Sequence, residues 1–143
     1  MKTVNEMKLS FPSKSCNEAF ARSAVAAFMM NLDPTLNELS DLKTAVSEAV
    51  TNCIVHGYRR QSGTIYINGK ITDKRRVIIR IRDRGCGIEN VRQAMQPLFT
   101  TAADEERAGL GFAVMQSFCD KVAVRSTPGK GTTVTLEKQL GDE

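Results

Sequence analysis

The chain has no apolar run long enough to cross a bilayer and no basic, apolar-cored leader at Met1. Neither insertion nor export is expected, and the cytoplasm is the expected compartment with no membrane partner. Its four cysteines, Cys16, Cys53, Cys86 and Cys119, form no Cys-x-x-Cys pair, and His56 is the single histidine. That spacing suggests neither a zinc site nor a disulfide framework, so the thiols read as reduced, three of them packed. No repeat, low-complexity stretch or linker interrupts the 143 residues, a length near the commonest domain size, and one domain over 1–143 is expected. The net charge of +4 is spread along the chain apart from Arg59-Arg60 and Lys74-Arg75-Arg76, which read as loop charges. No aromatic residues interleave with them, so direct nucleic-acid binding is not expected.

What is present is the composition of an ordinary globular protein, 41% apolar and 25% charged, arranged as alternating strand and helix patterns of an α+β fold. Met7, Leu9 and Phe11 alternate as in a first strand. Ser15 to Glu18 has the form of a capping box before a helix with Phe20, Ala24, Ala27 and Phe28 on one face, closed by Pro34. A second helix runs from Leu36 to His56 over an apolar stripe of Leu39, Leu42, Val46, Ala49, Val50, Cys53 and Ile54, and Gly57 stops it. Strands follow at Thr64 to Ile71 and Arg75 to Asp83, about a turn at Asp73-Lys74. The weakly periodic stretch Glu89 to Arg107 reads as a lid. A helix opening near Gly109 turns Leu110, Val114 and Phe118 inward. Strands Val122 to Ser126 and Thr132 to Leu140 close the pattern across Thr127 to Gly131.

Three groups carry chemistry. Asp83 continues the inward parity of Val77, Ile79 and Ile81, and Thr132 shares the parity of Val134 and Leu136. A carboxylate on a buried face is costly unless a polar group meets it, so Asp83, with Gly85 and Gly87 behind it, is a candidate to read a purine, beside the plainer reading of Asp-x-Gly-x-Gly as a turn. Glu48, Asn52 and His56 stand one turn apart on a stripe next to the apolar one, either a polar surface or the edge of a cleft. Asn52 offers an oxygen to Mg²⁺, and Glu48 can accept a proton from an attacking hydroxyl. Gly109-Leu110-Gly111 at a helix entry exposes N–H groups suited to phosphate, and Arg107 can reach the terminal phosphate. Together they point to ATP.

With these residues in place, the sequence resembles the GHKL ATP-binding family of gyrase, Hsp90-type chaperones, histidine kinases and MutL repair proteins. Glu48-Ala49-Val50-Thr51-Asn52, continuing to His56-Gly57-Tyr58, and Gln96-Pro97-Leu98-Phe99-Thr100-Thr101 are similar to its small anti-sigma serine kinases of endospore-forming bacteria. The resemblance implies an α/β sandwich with helices layered on one mixed sheet, and a homodimer. It implies that Asn52 is the Mg²⁺ ligand, Glu48 the general base and Asp83 the adenine-reading carboxylate. Gly85 and Gly87 match the first glycine box, Gly109, Leu110 and Gly111 the second, Thr132 the hydroxyl beside adenine, and Thr100 and Thr101 the lid side of the ATP/ADP site. The implied function is inhibition of a sporulation sigma factor and phosphorylation of a serine on its anti-anti-sigma partner.

Other readings remain in view. A general-stress anti-sigma kinase differs in partner rather than reaction, and a non-catalytic ATP-gated module differs only at Glu48. Histidine kinases often carry a further glycine where Arg107-Ala108 stand and a lysine where Val55 stands, and His56, inside the Asn52 helix, is not placed as a phosphoacceptor. A gyrase- or chaperone-like ATPase would need a transducer after Thr132. Partner binding is expected at Arg22, placed on the solvent face of the first helix among Ala21, Ser23, Ala26 and Met29, beside the plainer reading of a solubilising arginine.

Overall fold

A computed structural model describes residues 1–95 and 103–141, the side chains of 103–110 excepted. Strand β1 (Thr3–Pro12) leads to helix α1 (Asn17–Met29), a short 3₁₀ turn and helix α2 (Leu36–Asn52), which continues into a π-helical turn, Cys53–Gly57. Strands β2 (Thr64–Thr72) and β3 (Arg76–Asp83), helices α3 (Val91–Ala94) and α4 (Ala103–Phe118), and strands β4 (Lys121–Thr127) and β5 (Gly131–Gln139) complete it. The sheet order is β1-β2-β3-β5-β4. Helices α1, α2 and α4 pack together, and the core lies between them and one sheet face, where Leu42, Val46, Val50, Ile67, Ile79, Ile81 and Leu136 are buried. The α+β two-layer sandwich is therefore as the sequence predicts. The sheet itself is not mixed: every pairing among the described strands is antiparallel.

The α2 stripe is buried as expected from its spacing, with Leu39 partly buried. Its start is fixed by a capping box in which Thr35 Oγ1 accepts from the Glu38 N–H and Glu38 Oε1 accepts from the Thr35 N–H, at 3.1 and 2.8 Å. No such box forms at Ser15. Cys16 caps α1 without a side-chain bond, and Glu18 instead ion-pairs with Arg22 at 3.0 Å and accepts from the Ser47 hydroxyl.

Two helices sit in a different rotation from the one predicted. α1 buries Ala21, Val25, Phe28 and Met29, and Phe20 is 52% exposed. The observed stripe encloses Val25 and Met29 in place of two alanines but exchanges Phe20 for Ala21, so the two rotations offer similar apolar area, and Phe20 meets Phe11 edge-on at 5.9 Å at the rim. α4 buries Phe112 and Met115, with Val114 and Phe118 only half-buried. It also starts earlier than predicted, at Ala103, where Asp104, Glu105 and Glu106 suit the positive end of a helix. Gly109 and Gly111 therefore lie within α4 and do not open it, and Arg107 belongs to the helix and not to an irregular lid. Arg75 lies in the turn before β3 as predicted, whereas Arg76 opens the strand. Arg75 donates to the carbonyls of Gly141 and Leu32, and Arg76 pairs with Glu137 at 2.8 Å.

Candidate nucleotide site

Helix α2 and the π-helical turn that follows it present Glu48, Asn52 and His56 to a cleft of about 240 Å³ closed on its other side by Gly111 and Val114 of α4. The stripe is thus a cleft edge rather than a surface face. Gly111 allows the two helices to approach: a Cβ there would stand 3.2 Å from Asn52 Nδ2 and 3.4 Å from Glu48 Oε2. Burial, and next the negative charge of Glu18, push the Glu48 carboxyl above its ordinary range. Asn52 Nδ2 is buried with no hydrogen-bond partner among the described residues. An orphaned amide facing a cleft is the condition a ligand relieves, since leaving it unsatisfied costs roughly 1–3 kcal/mol. The oxygens of Glu48 and Asn52 suit Mg²⁺ rather than a softer metal, and the Asn52 Nδ2–H can donate to a phosphate oxygen.

Asp83 stands in a second cluster adjoining the first. It is 4% exposed at the end of β3, opposite Thr132 of β5 in the ladder. Its Oδ1 accepts from the Gly85 N–H at 2.9 Å, and the nearby Cys53 thiol and Thr132 N–H favour its ionised form. Burial nonetheless wins and raises its carboxyl above the ordinary range. Cys53 follows Asn52 directly, so the π-helical turn that replaces the last α turn joins the two clusters; such bulges recur at functional sites.

The glycines around Asp83 act by their lack of side chain. A Cβ on Gly57 would be 2.8 Å from Asp83 Oδ2, and one on Gly85 would be 2.1 Å from the Gly57 carbonyl. Gly87 has φ +75°, and its missing Cβ leaves room for the Thr127 carbonyl. The Cys86 N–H donates to the Gly57 carbonyl at 2.9 Å, tying the first glycine loop to the π-helical turn. Thr132 Oγ1 is 2.8 Å from Ser126 Oγ, which itself accepts from the Ile88 N–H at 2.7 Å.

The structure thus brings Glu48, Asn52 and Gly111 together, and Asp83, Gly85 and Thr132 together. Thr100 and Thr101, and the side chains of Arg107 and Leu110, lie outside the described residues. Arg22 is distant in role: it is half-buried and paired with Glu18, not alone on the solvent face, and Ala21 and Met29 beside it are buried. Cys53, Gly57 and Ser126 were not legible as site residues. Ser126 alone carried a signal, being level with Thr132 across the last hairpin. A concavity of about 300 Å³ around Ser13, Lys14 and Arg60 holds no carboxylate and takes no part in this site.

A buried carboxylate beside a glycine loop and a Glu/Asn helix edge define a nucleotide-binding module, and residues 11–138 match the family of the histidine kinase-like ATPase domain. The chain belongs to that family and, within it, to the anti-sigma F factors. It is 57% identical over 141 residues to the anti-sigma F factor of Caldanaerobacter subterraneus subsp. tengcongensis, covering 99% of this chain and 98% of that one. It is 55% identical over 143 residues to that of Thermoanaerobacter sp. (strain X514), covering 100% and 99%. Among solved structures, the RsbU and RsbW domains of Rv1364c from Mycobacterium tuberculosis align with TM-score 0.72 at 18% identity, covering 98% of this chain and 34% of that one. A blue-light activated histidine kinase of Erythrobacter litoralis aligns with TM-score 0.59 at 18% identity, over 82% and 40%. Both share the fold. No described helix is long and apolar enough to cross a membrane.

Proposed function

We propose that this anti-sigma factor acts as one domain over residues 1–143, in the cytoplasm and as a homodimer, holding a sporulation sigma factor and using Mg·ATP to phosphorylate a serine of the anti-anti-sigma protein. The observation that carries the reading is Glu48 one helical turn from an Asn52 amide without a hydrogen-bond partner among the described residues, on a cleft edge, with the buried Asp83 beside the π-helical turn that follows Asn52.

In this reading Asp83 accepts from the exocyclic amine of adenine, and Thr132 and the Gly85 and Gly87 backbone shape the base pocket. Asn52 would hold Mg²⁺, which when bound neutralises phosphate charge and orients the phosphates. Glu48 takes the proton from the serine hydroxyl. Its raised carboxyl brings its proton affinity closer to the operating pH, which suits a general base. The cleft at Glu48 and Asn52 is smaller than the roughly 300–1,000 Å³ of small-molecule pockets, consistent with its holding the phosphate end alone. Thr100, Thr101, Arg107, Gly109 and Leu110 complete the proposal on the phosphate side, and Arg22 on the partner side.

The relatives' name, anti-sigma F factor, favours this partner set over that of a general-stress kinase. The test is incubation of the chain with Mg·ATP and the anti-anti-sigma protein, followed by mass spectrometry of that partner. Phosphoserine, with ADP formed in equal amount, is expected. An unmodified partner, with sigma-factor binding intact, would leave a non-catalytic ATP-gated module.

A further inference from the structure

The helices cover one face of the sheet, and among the described residues nothing covers the other. Along β3 the outward positions carry Arg80 and Arg82, and Arg84 continues their parity past the end of the strand. The ladder sets Arg125 of β4 level with Arg82, both opposite Thr133 of β5. Tyr66 faces Arg82 from β2, and its ring lies 4.7 Å from the Arg82 guanidinium and 5.1 Å from that of Arg84. All four arginines are exposed, and among the described residues no carboxylate pairs with any of them. The acidic groups of this face, Glu6 and Glu137, lie one row away, level with Lys70 and Lys121, and are already engaged with Lys8, Lys70, Arg76 and Lys121.

We propose that this open face docks an acidic polypeptide segment in extended conformation. The charge is of one sign and uncompensated on a flat ladder, so it calls for carboxylates, which the guanidinium fork accepts bidentately. Tyr66 holds two of the forks in place, which lowers the ordering cost of binding. Arg80 and Arg82 are two strand residues apart, roughly 6.7 Å, the spacing of alternate side chains in an extended segment laid alongside. A second copy of this face is repelled by the same arginines. Single-stranded nucleic acid fits less well, because the ring that would stack a base is covered by guanidinium groups. The face is opposite the helices, so the inference does not depend on the nucleotide reading.

The test uses the full chain and a fluorescent peptide alternating Glu and Thr, followed by anisotropy at low salt, with an oligothymidylate as comparison. The peptide should bind, and Arg80→Gln/Arg82→Gln/Arg125→Gln should weaken it by about tenfold or more while ATP affinity stays unchanged. Arg80→Gln and Arg125→Gln measured singly should each weaken it in part, whether or not the triple variant folds. Failure of the peptide to bind, equal affinity in all variants, or tighter binding of the oligothymidylate would each overturn the proposal.

Discussion

The Asp83 carboxylate lies where a side chain on Gly57 would be: a Cβ there would come within 2.8 Å of Oδ2 and 3.0 Å of Oδ1. Gly57, the last residue of the π-helical turn, therefore sets where the carboxylate proposed to read the purine can stand. Gly57→Ala should force Asp83 aside and weaken ATP by about ten- to a hundredfold, the equivalent of one charge-assisted hydrogen bond. Titration calorimetry reads this directly, and wild-type affinity would separate Gly57 from the site.

Asp83→Asn should lose nucleotide affinity to a similar extent without lowering the stability of the nucleotide-free protein. Burial raises the Asp83 carboxyl in the folded state, so the fold binds its proton more tightly than the unfolded chain does. The stability from this group is then greatest below the unfolded value and declines as pH rises through the window up to the folded one. Above that window the ionised carboxylate is a burden on the fold, which the amide removes while still accepting from Gly85. Thermal melts with and without ATP check both halves: an unchanged or higher melting temperature alone, and a reduced shift with nucleotide.

Glu18→Gln should move the pH dependence of phosphorylation. Glu18 is the second cause, after burial, of the raised Glu48 carboxyl. Removing its charge should bring the acid limb of the rate profile to lower pH, since Glu48 then ionises sooner. A profile unchanged in position would show that Glu18 does not act on the base.

Arg22→Glu should weaken sigma-factor or anti-anti-sigma binding by a few kcal/mol, on the order of a hot-spot loss, at unchanged ATP affinity. Because Arg22 pairs with Glu18 one turn earlier, the reversal also places two like charges at i,i+4, a cost of about 0.2–0.5 kcal/mol to α1. Arg22→Ala, which lacks that repulsion, should retain most of the loss. Affinities for both partners equal to wild type would return Arg22 to a structural ion pair.

Parity was the most informative property of the sequence. The alternation of Val77, Ile79 and Ile81 carried Asp83 to the buried face and that of Val134 and Leu136 carried Thr132 there, because a strand has a period of two and the ladder adds no freedom. The α2 stripe was legible for the same reason at the helical period. In α1 and α4 the alanines and glycines leave several rotations nearly equal in apolarity, and contacts with α2 and Phe11 decide among them. The roles of Gly57 and Cys53 depend on a change of helical pitch after Asn52, for which no local pattern stands in the sequence.

The most direct test of the central claim is phosphoryl transfer by Glu48→Gln, measured under single-turnover conditions with saturating Mg·ATP and the anti-anti-sigma partner. The amide keeps the shape of Glu48 in the cleft but cannot take the serine proton. ATP affinity should be retained and the transfer rate should fall by roughly 10²–10⁴-fold. Transfer at the wild-type rate would contradict the assignment of Glu48 as the base and, with it, the mechanism built on the edge of α2.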